Sequence, residues 1–255
     1  MLVETPLEKN KEYQKIYAKR WFFFFRSDYR YRRLWFKELI QKLGISLAGK
    51  SVLDVGFGSG NLLFSLPLST HLYGVEQAES AVAYAHIRAG QLGFRTYDFK
   101  SNSLGKKIPF QDGFFDYVFL VHVLEHLPND HEIVLEIRRV LKLNGLFFLV
   151  LPVEKEGESP RHLRVYRTED VQKLIHGTFD LIQEEGSYHH SRLMRPLVWI
   201  HNTLQVPVLG PICDTVHHLL LRFLPYSFGR VLDRLLERIG IEPAQKLYLC
   251  RRKIN

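Results

Sequence analysis

The stretch Ser51 to Gly60, SVLDVGFGSG, decides the fold of this chain. A short apolar run leads into Asp54, and glycines then occupy alternating positions, Gly56, Gly58 and Gly60. A helix-like run follows from Asn61 to Leu66. The order of strand, glycine turn and helix is typical of sites where a nucleotide-like ligand meets a helix N-terminus. The alternative is a structural turn without a ligand.

The next predicted strand ends in an acidic residue whose distance from the glycine turn suits a contact with a ribose. His71 to Val75 indicates a strand that ends at Glu76, which lies 20 residues beyond Gly56. An acid in this position can accept hydrogen bonds from ribose hydroxyls. The glycine spacing departs from the dinucleotide fingerprint G-x-G-x-x-G/A, because Asn61 occupies the sixth position counted from Gly56.

Predicted strands and helices then alternate along the chain. Helices are predicted at 79–92 and 168–176, and apolar runs predict strands at 94–99, 115–121, 146–151, 178–184 and 245–250. Phe115 to Val121 is almost continuously apolar, as expected of a parallel strand buried on both faces. The alternation predicts an α/β fold with helices on both faces of a parallel sheet.

Several phrases resemble the class I S-adenosylmethionine-dependent methyltransferases, of the type 11 kind. They are D-x-G-x-G-x-G from Asp54, Pro109-Phe110 with Phe115-Asp116, Val123-Leu124-Glu125-His126-Leu127, and Arg139 to Gly145. In order and spacing the resemblance covers about residues 50 to 185. It implies a Rossmann-like, seven-stranded, mostly parallel sheet with a reversed last strand and the cofactor at the carboxyl ends of the strands.

The resemblance also implies a set of cofactor-binding residues. The cofactor is S-adenosylmethionine, and the set is Asp54, Gly56, Gly58, Gly60, Glu76, Gln77, Asp98, Phe99, Val121 and His122. In this family an acidic residue at the end of the third strand contacts the adenine amino group, a role that falls to Asp98. The insertion SNSLGKK makes the following spacing long, so Asn102 is the alternative.

Two histidines follow the fourth and fifth predicted strands. His126 and His162 are the candidate general bases, because imidazole titrates near neutral pH and both follow strand ends on the reaction side. Arg161 and Arg164 could hold an anionic acceptor. The structural alternatives are a histidine that caps a turn and charged residues on a surface loop.

Metal binding is a further alternative, although we expect no metal. His122, Glu125, His126 and His131 offer nitrogen and oxygen ligands, and His122 and His126 are four residues apart. Neither cysteine, Cys213 or Cys250, lies in a motif that indicates a covalent nucleophile.

Composition and charge suggest the setting of the protein. The 255 residues include only two cysteines, which favours a reducing, cytoplasmic compartment. Residues 1–50 contain 12 Lys/Arg against 5 Asp/Glu, residues 51–185 contain 13 against 18, and residues 186–255 contain 10 against 4. Two basic flanks on one side would attract anions, including the surface of a membrane.

The two flanks contain more apolar side chains than can all face a single hydrophobic core. A helix is predicted over residues 8–43, and its five consecutive aromatic residues, Trp21 to Phe25, point all round the helix. The segment 190–243 is predicted to be a helical lid, with one apolar face around Val216 and a second around Val231. The predicted domains are a cap at 1–49, a core at 50–189, this lid, and a final strand at 244–255.

Together these features predict a methyltransferase acting on an apolar small-molecule or lipid-like acceptor, anionic in one version. Nucleic acid is a less favoured acceptor, because no RNA-binding module or base-methylation motif is recognised. The third hypothesis is a protein that keeps the cofactor fold without turnover. The oligomeric state is left open.

Overall fold

A computed structural model of the chain describes residues 27–103, 107–194 and 225–254. Within them seven strands form one sheet: β1 Ser51–Val55, β2 His71–Glu76, β3 Tyr97–Ser101, β4 Phe115–Val121, β5 Leu141–Pro152, β6 Phe179–Ser187 and β7 Gln245–Arg252. The helices are α1 Ser27–Lys42, α2 Glu79–Leu92, α3 Asp130–Val140, α4 Thr168–Ile175 and α5 Tyr226–Arg238. Short 3-10 turns occur at Leu63–Ser65, Leu124–His126 and His189–Met194.

The sheet has the strand order β3-β2-β1-β4-β5-β7-β6. Strands β3, β2, β1, β4 and β5 are parallel to one another, and β7 is antiparallel to both β5 and β6. This confirms the predicted fold class, including the reversed last strand. The carboxyl ends of β1, β2, β3, β4, β5 and β6 therefore meet at one edge of the sheet.

Two apolar layers fix the sheet between helices. One layer packs α3 and α4 against the sheet through residues such as Ile133, Ile137 and Val171. The other packs α1 and α2 on the opposite face, where Trp35 and Phe36 of α1 are 0% and 2% exposed. Phe36 contacts Phe119 and Phe148 with ring centroids 4.9 Å and 5.4 Å apart. The first described helix is thus an integral part of the core.

The predicted helix from Asn61 to Leu66 is wrong. The segment forms only the short 3-10 turn Leu63–Ser65, which ends where Leu66 adopts an extended conformation. Leu66 precedes Pro67, and a residue before proline is driven out of the helical region by steric contact with the proline ring. The glycine turn therefore leads into a compact loop, so no helix N-terminus is available there to a ligand.

Two further predictions need correction. The third strand runs from Tyr97 to Ser101 and lies later than the predicted 94–99. In α5 the buried residues are Gly229, Asp233 and Leu236, whereas Val231, Leu235 and Ile239 of the predicted apolar face are about half exposed or more. Burial on α5 follows the partners of Asp233, which the apolar pattern does not show.

The aromatic run Trp21 to Phe25 and the predicted helix around Val216 lie outside the described residues. Among the residues that are described, none of the helices has the length and apolar character needed to cross a membrane.

Candidate active site at the carboxyl edge of the sheet

The glycine turn after β1 requires glycine for conformational reasons. Gly56, Gly58 and Gly60 have φ values of 74°, 57° and 69°, a region that L side chains rarely adopt. A Cβ at Gly60 would lie 2.4 Å from Cε2 of Phe64. The turn therefore presents bare backbone at the strand edge, where a ligand can approach closely.

Two buried carboxylates lie under this turn. Asp54 is 4% exposed, and its burial, together with the charge of Glu76, raises its pKa to about 8. A buried carboxyl group with a raised pKa ionises readily only when a cation lies beside it. Asp54 is thus suited to the positively charged part of a ligand held by the turn.

The carboxylate of Glu76 stabilises the glycine turn by accepting hydrogen bonds from its backbone and from the residues after β2. Its Oε2 accepts a hydrogen bond from the backbone nitrogen of Gly58 at 2.9 Å, and its Oε1 accepts one from that of Gln77 at 2.7 Å and from that of Ala78 at 3.2 Å. Burial raises the pKa of Glu76, although these three amides oppose the rise. Any ribose contact would add to this role.

At the end of β3 the geometry favours Asn102 over Asp98 for an adenine contact. Ser101 pairs with Glu76 at the edge, whereas Asp98 pairs with Tyr73 further inside the sheet and has Lys100 at 3.3 Å. Asn102 follows the strand, and its backbone nitrogen bonds to the carbonyl oxygen of Glu76 at 3.0 Å. Phe99 is 3% exposed and belongs to the core.

The residues after β4 form a second part of the site. His122 has a φ of 54°, and its Nε2 is 2.9 Å from Oε1 of Gln245 at the start of β7. Glu125 follows in the turn Leu124–His126 and is 1% exposed. Neither of its carboxylate oxygens has a hydrogen-bond partner among the described residues, although Nδ1 of His122 lies 3.5 Å from Oε1. Burial raises the pKa of Glu125, but the imidazole of His122 outweighs it and leaves the pKa below its ordinary value.

The structure brings the two predicted bases together. The ring centroids of His126 and His162 are 4.8 Å apart. Nδ1 of His126 faces the carbonyl oxygen of Arg161 at 3.2 Å, and Nδ1 of His162 is hydrogen-bonded to Oε1 of Glu154. Both rings therefore keep Nε2 free of these contacts. Burial lowers the pKa of His126, so that its neutral form is favoured.

Three of these side chains could also hold a metal ion. Glu125, His126 and His162 each offer a ligand atom within 4.8 Å of the others. This group differs from the one considered from the sequence: His162 joins it, His131 lies exposed at the start of α3, and His122 is turned toward Gln245. Imidazole and carboxylate together suit divalent transition metals such as zinc.

Arg164 does not offer a free charge to an acceptor. It forms an ion pair with Asp130, and its Nη2 donates to the carbonyl oxygen of Pro128 at 2.8 Å. Tyr166 donates to the same carboxylate at 2.9 Å. The predicted anion-binding role of Arg164 therefore has no support in the geometry.

Comparisons with known proteins identify a family model and relatives that this chain resembles. Residues 53–149 match the family model described as "Methyltransferase domain". Proteins named ubiquinone biosynthesis O-methyltransferase are 32% identical over 106 residues in Dechloromonas aromatica and 26% identical over 162 residues in Xanthomonas euvesicatoria. These alignments cover 41% and 62% of this chain and 45% and 63% of the relatives. The chain therefore spans less than two thirds of the length of either relative.

Solved structures share the fold at low identity. A putative sarcosine dimethylglycine methyltransferase from Galdieria sulphuraria has a TM-score of 0.59 at 15% identity, and covers 86% of this chain and 84% of its own. The [4+2]-cyclase SpnF has a TM-score of 0.56 at 19% identity, with 82% and 76% covered. These similarities concern the fold alone.

The fold is that of the class I S-adenosylmethionine-dependent methyltransferases. Residues 53–149 match the methyltransferase-domain family model, which confirms the predicted resemblance to this family. The cofactor implied by that family is S-adenosylmethionine. The residues present fit it, because three glycines with positive φ form the turn and the buried Asp54 can face a cationic group.

Sequence reasoning missed two residues of the site. Glu154 contacts His162, and Gln245 contacts His122. A signal for Glu154 was present, since an acid directly follows Pro152-Val153 at the end of the predicted fifth strand. Gln245 offered none, because it meets His122 only through the antiparallel pairing of β7 with β5.

The carboxylate of Glu76 provides the first testable prediction. Glu76→Gln should weaken S-adenosylmethionine binding by about 1–3 kcal/mol, because an amide cannot accept all three backbone hydrogen bonds or a further one from ribose. Titration calorimetry measures the effect, with Glu79→Gln, at an exposed position of α2, as the matched control. Equal affinity in two folded variants would contradict the assignment.

Proposed function

We propose that this protein transfers the methyl group of S-adenosylmethionine to an oxygen atom of an apolar small molecule. The observation that carries the proposal is the pair His126 and His162, whose rings meet at the same sheet edge as the glycine turn. The name O-methyltransferase, borne by relatives of the chain, supports oxygen as the methylated atom.

The residues of the chain have simple tasks in this reaction. S-adenosylmethionine supplies an already activated methyl group when it is bound. Asp54, Glu76 and the glycine turn bind and orient the cofactor. One imidazole of the pair accepts the proton of the acceptor hydroxyl as the oxygen attacks, a contribution of about 10²–10⁴-fold in ordinary general-base catalysis. Correct placement of the reactants provides the rest.

The proposed acceptor entrance is a small, mainly apolar cavity beside the turn that follows β6. The cavity lies between α1 and α5, lined mainly by Tyr31, Leu34, Tyr226, Phe228 and Leu232. Aromatic and aliphatic walls of this kind bind the apolar bodies of small molecules. The lipid-like version of the proposal draws on the same walls and on the basic flanks of the sequence.

Two other functions remain as alternatives with different outcomes. Methylation of RNA would use the basic flanks, and a protein that binds the cofactor without turnover would keep the same fold. Incubation with tritiated S-adenosylmethionine and lysate separated into lipid, small-molecule and RNA pools distinguishes them. Label in the small-molecule or lipid pool supports the proposal. Label in RNA alone, or cofactor binding with no label in any pool, contradicts it.

Peripheral contact with a membrane is tested at α5. Phe228, Val231, Leu235 and Ile239 are 48–73% exposed on this helix. If they meet lipid, flotation with vesicles of phosphatidylglycerol should be strong at low salt, weaker at high salt, and reduced in Phe228→Ser. Ile87→Ser, at a 62% exposed position on α2, is the control. Absence of flotation at low salt would leave a water-soluble acceptor as the preferred version.

A further inference from the structure

Glu154 lies behind one of the two candidate bases. It follows β5 by two residues, and its side chain is 10% exposed. Its Oε1 is hydrogen-bonded to Nδ1 of His162, whose side chain is 17% exposed. A half-buried carboxylate paired with an imidazole in this way resembles, in its geometry alone, the acid–histidine pairs that orient catalytic bases.

We propose that Glu154 is the positioning residue that makes His162, in preference to His126, the proton acceptor of the reaction. The inference rests on the proposed methyl transfer, which it refines. It distinguishes His162, as the base, from His126, whereas the sequence leaves both histidines as candidate bases.

The first step of the argument concerns the tautomer of His162. An ionised carboxylate only accepts hydrogen bonds, so Nδ1 of His162 carries the hydrogen. Its Nε2 then carries the lone pair that can receive a proton. Because Glu154 and His162 are only eight residues apart, on the two arms of one loop, the pairing is local and does not depend on distant elements.

The second step compares the partners of the two histidines. Nδ1 of His126 faces a neutral carbonyl oxygen, that of Arg161, whereas His162 faces a carboxylate. A charged acceptor stabilises an imidazolium more strongly than a neutral one. The carboxylate partner therefore selects His162 as the base.

The third step is the balance of the reaction. The hydroxyl proton of the acceptor moves to Nε2 of His162, and the acceptor oxygen forms a bond to the methyl carbon. The bond between that carbon and the sulfonium sulfur breaks, and its electron pair stays on sulfur as a neutral thioether. The imidazolium formed is held against Glu154 until it loses the proton to water.

The test combines a probe that needs no acceptor with steady-state kinetics. Diethyl pyrocarbonate acylates unprotonated imidazole nitrogen, and mass spectrometry reads each histidine separately. In chelator-treated protein, Glu154→Gln should slow labelling of His162 about tenfold and lower kcat by about 10²–10⁴-fold, because an amide permits the wrong tautomer. The acceptor KM and the cofactor Kd should change less than about threefold, since Glu154 is proposed to act on proton transfer and to contact neither ligand.

The loop supplies a matched control. Glu156→Gln, at an exposed position two residues away, should leave labelling and kcat unchanged, and the exposed His131 serves as an internal reference. In wild-type protein, ¹⁵N spectra should show the His162 hydrogen on Nδ1, a measurement that needs no variant to fold.

Three results would overturn the inference. The first is a ¹⁵N spectrum that shows the His162 hydrogen on Nε2. The second is an equal kcat for Glu154→Gln and Glu156→Gln. The third is turnover that is abolished by chelation and restored by divalent ions. Failure of methyl transfer by the wild-type protein would instead remove the proposed function, while the labelling and the spectra would still report on the pair.

Discussion

Replacing His162 with alanine is expected to lower the turnover number by about 10²–10⁴-fold at saturating cofactor. The variant loses the imidazole that accepts the proton of the acceptor, while the glycine turn and Asp54, on other strands, keep their geometry. His126→Ala should have a smaller effect, since Nδ1 of His126 faces a backbone carbonyl oxygen whereas that of His162 faces a carboxylate. The measurement is kcat across pH for both variants and for the exposed control His131→Ala.

Other outcomes of this comparison are equally informative. If both variants keep near-normal turnover at every pH, placement of the reactants alone carries the reaction and neither histidine is a base. If either variant loses turnover that added divalent ions restore, the group Glu125, His126 and His162 acts through a metal instead. The carboxylate of Glu125, whose oxygens have no hydrogen-bond partner among the described residues, would then have a cation as its partner.

The central strands could be predicted because their apolar runs are long and bounded by turn residues. Phe115 to Val121 is buried by helices on both faces, so composition alone marks it as a strand. The acid at Glu76 and the three glycines could likewise be placed, because they directly follow strands whose ends share one edge. The local sequence is sufficient to predict a residue's role when that role depends on the neighbouring strand.

One error passed over a local signal, the proline after Leu66, and the others arose where distant contacts decide the structure. Leu62, Leu63 and Leu66 of the expected helix are buried, but Pro67 ends the turn before a helix can form. The end of β3 is set by its pairing with β2, which carries the strand past Asp98 to Ser101. The meeting of His126 and His162 depends on the loop after β5 docking on the turn after β4, where the Leu163 nitrogen bonds to the Glu125 carbonyl oxygen at 2.8 Å.

The orientation of α5 is the clearest case, because a buried carboxylate outweighs an apolar stripe. Asp233 is 1% exposed and accepts hydrogen bonds from three residues distant in sequence. The Tyr31 hydroxyl of α1 donates at 2.5 Å, and the backbone nitrogen of Tyr188 donates at 3.2 Å. His190 contributes its backbone nitrogen at 2.9 Å and Nδ1 at 2.7 Å. Burial raises the pKa of Asp233, but these partners outweigh it and hold the pKa below its usual value.

Asp233→Ala should therefore lower the free energy of unfolding by about 3–5 kcal/mol, the range for removing one partner of a buried charged network. Four buried donors lose their acceptor, and each unsatisfied donor costs about 1–3 kcal/mol before relaxation. Urea denaturation measures the loss, and Glu237→Ala, at an exposed position on the same helix, is the control. We expect the control to change stability by less than about 0.5 kcal/mol.

The same variant tests whether α1 and α5 form one wall of the acceptor entrance. Tyr31 contacts the Tyr226 ring with centroids 5.1 Å apart, and both line the cavity. Without Asp233 the two helices keep their contacts through Glu38 and Arg230 but lose the buried link to Tyr188 and His190. Acceptor KM should then rise while cofactor affinity, set at β1 and β2, stays unchanged. A folded Asp233→Ala protein with unaltered acceptor KM would show that the entrance lies elsewhere on the edge.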